Sequence, residues 1–301
     1  MTSTVAHKGA TPEAPNAETQ GALSKTTFGP SATLATTSRE IVENPDVEQK
    51  VEHAHAVAKA WYSQSLSLGA MSKPLAMPDH PGRPARPELR QPREMPRRSK
   101  HGLKGRYALL HALAHIELNA IDMTWDLIAR FTHMSMPRAF YDDWVQVGLE
   151  EAKHFKMIST RLKELGEGYG NLPAHDGLWQ AAHATGHDLL ARLAIVPLIL
   201  EARGLDVTPA MIESLRKAND NASAAIIEII YRDEKRHVAY GMKWFRFMCQ
   251  RAKLPLEPTF HRLVREHFRG PLKPPFNEAA RTEAGLTTGF YKPLTAFGAP
   301  A

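Results

Sequence analysis

One pattern occurs twice in this chain and constrains its fold more than any other feature: a glutamate followed, 33 or 34 residues later, by Glu-x-x-His. Glu117 precedes Glu151-Ala152-Lys153-His154, and Glu201 precedes Glu234-Lys235-Arg236-His237, so the second set repeats the first about 84 positions on. Four carboxylates and two imidazoles in this order are the ligand set of a carboxylate-bridged metal pair inside a four-helix bundle. Fold and chemistry are therefore constrained together.

A single Glu-x-x-His carries little weight. With 21 Glu and 15 His in 301 residues, composition alone supplies roughly one. The chain has three, and Glu52-His53-Ala54-His55 is the one that chance accounts for. The other two pass three tests. On a helix, residues three apart share a face, so Glu151 and His154 can grip one ion, as can Glu234 and His237. Each ligand also falls within an apolar stripe at helical spacing. Glu117 sits among Leu110, Leu113, Ala120, Ile121, Thr124, Ile128 and Phe131, and Glu151 and His154 among Trp144, Val147, Ile158 and Leu162. Glu201 joins Leu190, Leu193, Ala194 and Leu198, and Glu234 and His237 join Ser223, Ile226, Ile227 and Ile230. Ionised carboxylates in a core are costly unless paired or metal-bound. The alternative is a bundle that buries Glu/His ion pairs without metal.

The third test is level, because residues equidistant from a hairpin turn lie side by side. The midpoint of Glu117 and Glu151 is Met134, within a break that ends at Pro137. The midpoint of Glu201 and Glu234 falls near 217–218, just before Asn219-Asp220-Asn221, a turn signature. Level matching conflicts with Gly204 and Thr208-Pro209, which would ordinarily end a helix. It therefore predicts a third helix interrupted at about 204–208 and resumed to 218, with Pro197 disturbing it as well.

The expected architecture is all-α: a four-helix bundle over 103–250, with helices near 103–131, 137–166, 178–218 and 221–250. Residues 1–40 are rich in Ala, Thr, Ser and Pro and read as a disordered arm. Residues 41–102 carry an amphipathic helix over 44–67 and a Pro/Arg-rich belt with seven prolines over 73–98. Residues 251–301 hold a helix near 256–268 and a wrapping tail. The stretch Gly166 to Gly177 would cross the bundle's length, for which twelve extended residues, about 40 Å, suffice. No apolar run approaches a membrane span. The N-terminus lacks a signal-peptide layout, so a cytoplasmic protein is expected. The lone Cys249 excludes an internal disulfide framework and a four-cysteine iron centre.

The stretch from about 96 to 295 resembles an uncharacterised bacterial family of ferritin-like proteins, the domain-of-unknown-function family 455. Segments that carry the resemblance include Pro96-Arg97-Arg98, His111 to Glu117, Glu150-Glu151-Ala152-Lys153-His154-Phe155, and Tyr169 to Trp179. Leu200 to Pro209, Asp233-Glu234-Lys235-Arg236-His237-Val238 and Pro275-Phe276-Asn277 complete it. The resemblance implies a ferritin-like bundle with di-iron ligands at Glu117, Glu151, His154, Glu201, Glu234 and His237. It implies no particular reaction.

Carboxylates with two imidazoles suit two iron ions, or a manganese/iron pair. By analogy with related sites, Glu151 and Glu234 bridge, and Glu117 and Glu201 are terminal. Metal-bound histidines usually give their second N–H to a carboxylate, and in similar sites the acid comes from the opposing helix. Asp233 is thus expected at His154 and Glu150 at His237. Tyr231, one turn before Glu234, is a candidate second-layer donor or electron relay, although core tyrosine is the plainer reading. His111 and His115 read as packing or second-layer histidines, since His115 faces almost away from Glu117. Ile158 stands where a radical-bearing reductase subunit carries tyrosine, which counts against ribonucleotide reduction.

Three functions remain open at this point. The first is an oxidoreductase that uses dioxygen and an external electron donor to oxygenate or oxidise a small molecule. The second is a ferroxidase or iron store, since bacterioferritins share the ligand order. The third is tRNA hydroxylation, because a ferritin-like hydroxylase family is distantly similar around Glu201-Ala202-Arg203. Residues 83–106 hold nine Lys/Arg against two Glu, which can steer nucleic acid but lacks interleaved aromatics. A homodimer is left open.

Overall fold

The structure is a computed structural model that describes residues 28–29, 31–69, 72–96, 102–269 and 271–296. Four long rods make its centre. Helix α3 (Gly102–Arg130) and α4 (Arg138–Glu164) form one hairpin. The second hairpin joins α8 (Asn221–Arg251) to a composite rod of α6 (Leu189–Ile195), a π-helical turn (Val196–Glu201) and α7 (Ala202–Lys217). Before the bundle come α1 (Leu34–Glu43) and α2 (Val47–Tyr62), which pack on α3 and α4 respectively. Helix α5 (Gly177–Ala184) lies between the hairpins. Helices α9 (Leu256–His267), α10 (Glu278–Glu283) and α11 (Thr288–Tyr291) wrap the second hairpin. Among the described residues there is no strand, only isolated bridges at Thr33–Ser67 and Leu89–Ala174, and no helix is long and apolar enough to cross a membrane.

Local chemistry starts these helices. Asp46 accepts from the Glu48 and Gln49 amides, both at 3.0 Å, Asp188 from Leu190 at 2.9 Å, and Asp220 from Ser223 at 3.1 Å. Each satisfies amides that a helix start leaves unbonded. The arm expected to be disordered through residue 40 is helical from Leu34. Thr33 and Thr36 form a reciprocal capping box there, and Leu34, Ile41 and Val42 are fully buried. Residues 1–27 of that arm lie outside the described residues.

The third rod corrects the sequence expectation. It is separated from α5 at 185–188 and distorted at Pro197, but it runs unbroken through Gly204 and Pro209. A proline inside a helix frees the carbonyl four residues earlier. Here that carbonyl, Leu205 O, accepts from Asn277 Nδ2 at 3.2 Å, so a side chain from the C-terminal wrap replaces the missing amide. At Pro197 the rod instead takes a wider π turn, of the kind often found at functional sites. A Cβ on Gly241 would lie 2.5 Å from Pro197 Cβ, so this glycine lets α8 pack against the bulged turn.

The crossover runs along α3. Tyr107 donates to Gly168 O at 3.3 Å, and His111 Nε2 accepts from the Gly170 and Leu172 amides at 3.0 and 3.3 Å. His115 donates from Nε2 to His175 O at 3.1 Å, which leaves Nδ1 to accept from the Tyr169 hydroxyl at 2.9 Å. Burial, with the nearby Arg83 charge, pushes His115 down to about 3, so its ring is neutral. Further along, the fully buried Arg192 binds Asp126 at 2.7 Å and the carbonyl of Ala182 at 2.7 Å. The stretch 166–177, expected to cross the bundle's length by itself, follows α3 only from Tyr107 to His115, about 12 Å of helix, and α5 with the turn at 185–188 completes the crossing. His111 and His115 therefore clamp the crossover.

Part of the basic belt is spent on the bundle's own acids. Arg83 reaches Asp122 at 3.0 Å and Asn119 at 2.8 Å, and Arg106 reaches Asp220 at 3.5 Å. The buried Lys50 on α2 also pairs with Asp122. The belt pairs with the crossover through Glu88 and Arg90, on either side of the Leu89–Ala174 bridge. Arg97, Arg98 and Lys100 lie outside the described residues.

Candidate metal centre

Four rods bring the two halves of the repeated motif to one level. Glu117 comes from the middle of α3, Glu151 and His154 from α4, Glu201 from the last position of the π turn, and Glu234 and His237 from α8. One ligand atom from each of Glu117, Glu151, His154 and Glu234 lies within 4.8 Å of the others; the same holds for Glu201, Glu234 and His237. Glu234 belongs to both groups. Glu151 also reaches across them, with Oε1 3.0 Å from His237 Nδ1 and Oε2 3.5 Å from His154 Nδ1. His154 Nδ1 stands 3.4 Å from Glu117 Oε2, and the two imidazole centroids are 5.9 Å apart.

The inward-facing atoms lack ordinary partners. Glu117 Oε2, both oxygens of Glu151, Glu201 Oε2, His154 Nδ1 and His237 Nδ1 are buried without an aligned hydrogen bond. Buried polar atoms are nearly always bonded, and a cluster of exceptions calls for an ion or a reaction. Glu117, Glu151, His154 and His237 are at most 3% exposed. Glu201 and Glu234 keep some exposure because a cavity lies against them.

The electrostatics tell the same story. Burial pushes the Glu117 carboxyl up to about 8, opposed by the nearby imidazole of His154. Burial and the neighbouring Glu234 charge drive Glu201 well above the carboxylate range, and Glu234 is raised by burial and by Glu151. Burial would raise Glu151 too, but the two histidines hold it below its usual value. Burial alone would lower His154 and His237, yet the surrounding carboxylates raise both well above an ordinary imidazole. Protons thus stand in for positive charge that the carboxylates demand. A cation would replace them and satisfy the unpartnered atoms, so the residues fit a metal.

The outer ring nitrogens are held from the opposing helices. His154 Nε2 lies 3.1 Å from Asp233 Oδ2, and His237 Nε2 lies 2.8 Å from Glu150 Oε2. Three residues that the sequence reading did not single out complete the layer. Lys153 binds Asp233 at 2.5 Å, Gln146 binds Glu150 at 2.7 Å, and Arg236 bonds both acids. A signal existed for two of them: the residue before the histidine is cationic in both motif halves, Lys153 and Arg236. Tyr231 is elsewhere. Its half-buried hydroxyl accepts from Asn277 Nδ2 at 2.9 Å, so it serves the C-terminal wrap rather than an imidazole.

A cavity of about 620 Å³ extends outward from Glu117, Glu201 and Glu234, with mainly apolar walls from α3, the π turn, α7, α8 and the segment after α9. Sequence reasoning missed it, since its walls come from segments far apart in the chain.

Fold and cluster together define a class: an all-α bundle protein whose core carries a carboxylate-and-imidazole group able to hold metal. The chain belongs to the family described as "Protein of unknown function (DUF455)", which matches residues 43–292. It is 40% identical over 209 residues to a Haemophilus influenzae protein described as uncharacterized, a match covering 68% of this chain and 73% of the relative. No solved structure matches the chain.

Proposed function

We propose that this is a ferritin-like di-iron oxidoreductase, using dioxygen and an external electron donor to oxygenate or oxidise a small molecule. The convergence of unpartnered, buried carboxylate and imidazole atoms from four rods carries this reading. Glu117, His154 and Glu151 would hold one ion, and Glu201, His237 and Glu234 the other, with Glu151 and Glu234 shared between them. The donor set suits Fe/Fe or Mn/Fe. Such a pair, when bound, supplies one-electron steps between the +2 and +3 states for the reduction of dioxygen.

The chain's own contribution is positional. Asp233 and Glu150 fix the ring orientation of His154 and His237 and keep a proton on each outer nitrogen. The apolar walls beside Glu117 and Glu201 leave room for an organic substrate on one side of the centre. The same walls favour an oxidoreductase over an iron store, because migrating iron would find few ligands there. With Arg83 and Arg106 engaged by Asp122 and Asp220, less of the belt is free for nucleic acid.

Anaerobic titration with ferrous iron should saturate at two ions per chain, and admission of oxygen should change the absorbance. Absence of both would sink the proposal. Uptake of many ions per chain would move it to iron storage, and a salt-sensitive gel shift with tRNA would revive the nucleic-acid reading.

A further inference from the structure

The metal ligands do not explain the cavity. Its volume falls in the range of small-molecule sites, roughly 300–1,000 Å³. Its lining carries charges of both signs. The inner end is the carboxylate cluster, through Glu117, Glu201 and Glu234. Also lining it are Arg269 and Lys273, both exposed, and among the described residues neither side chain has a hydrogen bond or ion pair. Two further lining cations, Arg203 and Arg281, are engaged by Asp206, and the remaining walls are mainly hydrocarbon.

Gly204 is the second, independent observation. It lies inside α7, where glycine costs about 1 kcal/mol relative to alanine. No close approach requires it, because a Cβ there would meet nothing within 4 Å. It shares a helical stripe with Val207, Thr208 and Met211, all of which line the cavity. The missing side chain leaves cavity space open beside Glu201.

We infer that the cavity binds a single-chain amphiphile with an anionic head, a long-chain carboxylate, whose head sits at Arg269 and Lys273 and whose chain passes Gly204 toward Glu117 and Glu201. The exposed, unpaired cations favour the head beside them, and the buried carboxylates disfavour a second anion. This deepens the proposed function by naming its substrate class, and rests on that reading only for what happens to the ligand afterwards.

Calorimetric titration of the metal-free full chain with laurate, below its micelle concentration, tests the inference. Saturable binding of one laurate per chain is expected, at least tenfold tighter than dodecanol or dodecyltrimethylammonium. Gly204→Phe should abolish it without lowering the melting temperature, since its Cβ enters open space and phenylalanine exceeds glycine in helix propensity. The exposed pair Arg269→Glu/Lys273→Glu should weaken laurate at least tenfold and leave dodecanol unchanged. This pair decides the matter if Gly204→Phe does not fold. No saturable laurate binding, undiminished binding in folded Gly204→Phe, or equal binding of the cationic amphiphile overturns the inference. Iron stoichiometry reads the Glu/His cluster and laurate binding to metal-free protein reads the cavity, so either proposal can fail alone.

Discussion

Asp233 on α8 lies 3.1 Å from the outer nitrogen of His154 on α4, and Glu150 on α4 returns the same contact to His237 on α8 at 2.8 Å. Each acid directly precedes the glutamate of its own Glu-x-x-His and serves the histidine of the other. An ionised carboxylate can only accept, so Nε2 of each ring carries the proton and Nδ1 is left facing the cluster. Arg236 ties the two acids together.

Removing this support should loosen metal without moving the ligands. Asp233→Asn and Glu150→Gln are each expected to weaken metal affinity about 10- to 100-fold. Competition with a chromophoric chelator reads this directly. Affinity unchanged in both variants would show that the two acids are bystanders.

Glu201 illustrates a conflict between stability and function. Its buried carboxyl is held well above the carboxylate range by burial and by Glu234. Glu201→Gln should therefore leave the metal-free protein at least as stable as the parent, while shrinking the rise in melting temperature expected on addition of ferrous iron. A metal-free variant that melts several degrees lower would contradict this.

The tolerance of Pro209 inside α7 is ascribed to Asn277. Asn277→Ala strands Leu205 O and removes the donor to Tyr231, and is expected to cost about 1–3 kcal/mol in urea unfolding. Pro209→Ala restores an amide able to bond Leu205 O, so the Asn277→Ala penalty should be smaller in that background. Strict additivity in the double-mutant cycle would refute the coupling.

Cys249, 1% exposed near the end of α8, has its thiol pushed up to about 11 by burial. At pH 8 its reaction with a disulfide reagent should be far slower than in the urea-unfolded chain. The sign of the pH effect follows. Unfolding returns the thiol to an ordinary value near 9, so its contribution to stability is complete below pH 9 and is lost as pH rises toward 11. Cys249→Ala should flatten the stability profile in that window; an unchanged alkaline slope would exclude the thiol as its source.

Much of the core was legible because it repeats at helical period. Glu117, Glu151, His154, Glu201, Glu234 and His237 could be placed on shared faces from spacing alone, and hairpin level matched them in pairs. Helix α1 was lost in the Ala/Thr/Ser composition around it, where the Thr33–Thr36 capping box was the local cue. The third rod was misjudged because Gly204 and Pro209 are helix breakers only when nothing replaces what they remove.

The sequence by itself determined that four carboxylates and two imidazoles able to ligate metal recur on apolar stripes, because side-chain direction on a helix depends only on position along the chain. Pro197 marked in the sequence one place where the third rod deforms, but tertiary structure decided the form, since the π turn depends on the space Gly241 leaves for it and the survival of α7 on a bond from Asn277. It also decided that Lys153 and Arg236 steady the outer acids and that an apolar cavity meets the cluster. Those features belong to no single segment. They exist only where residues far apart in the chain are brought within a few ångströms of one another.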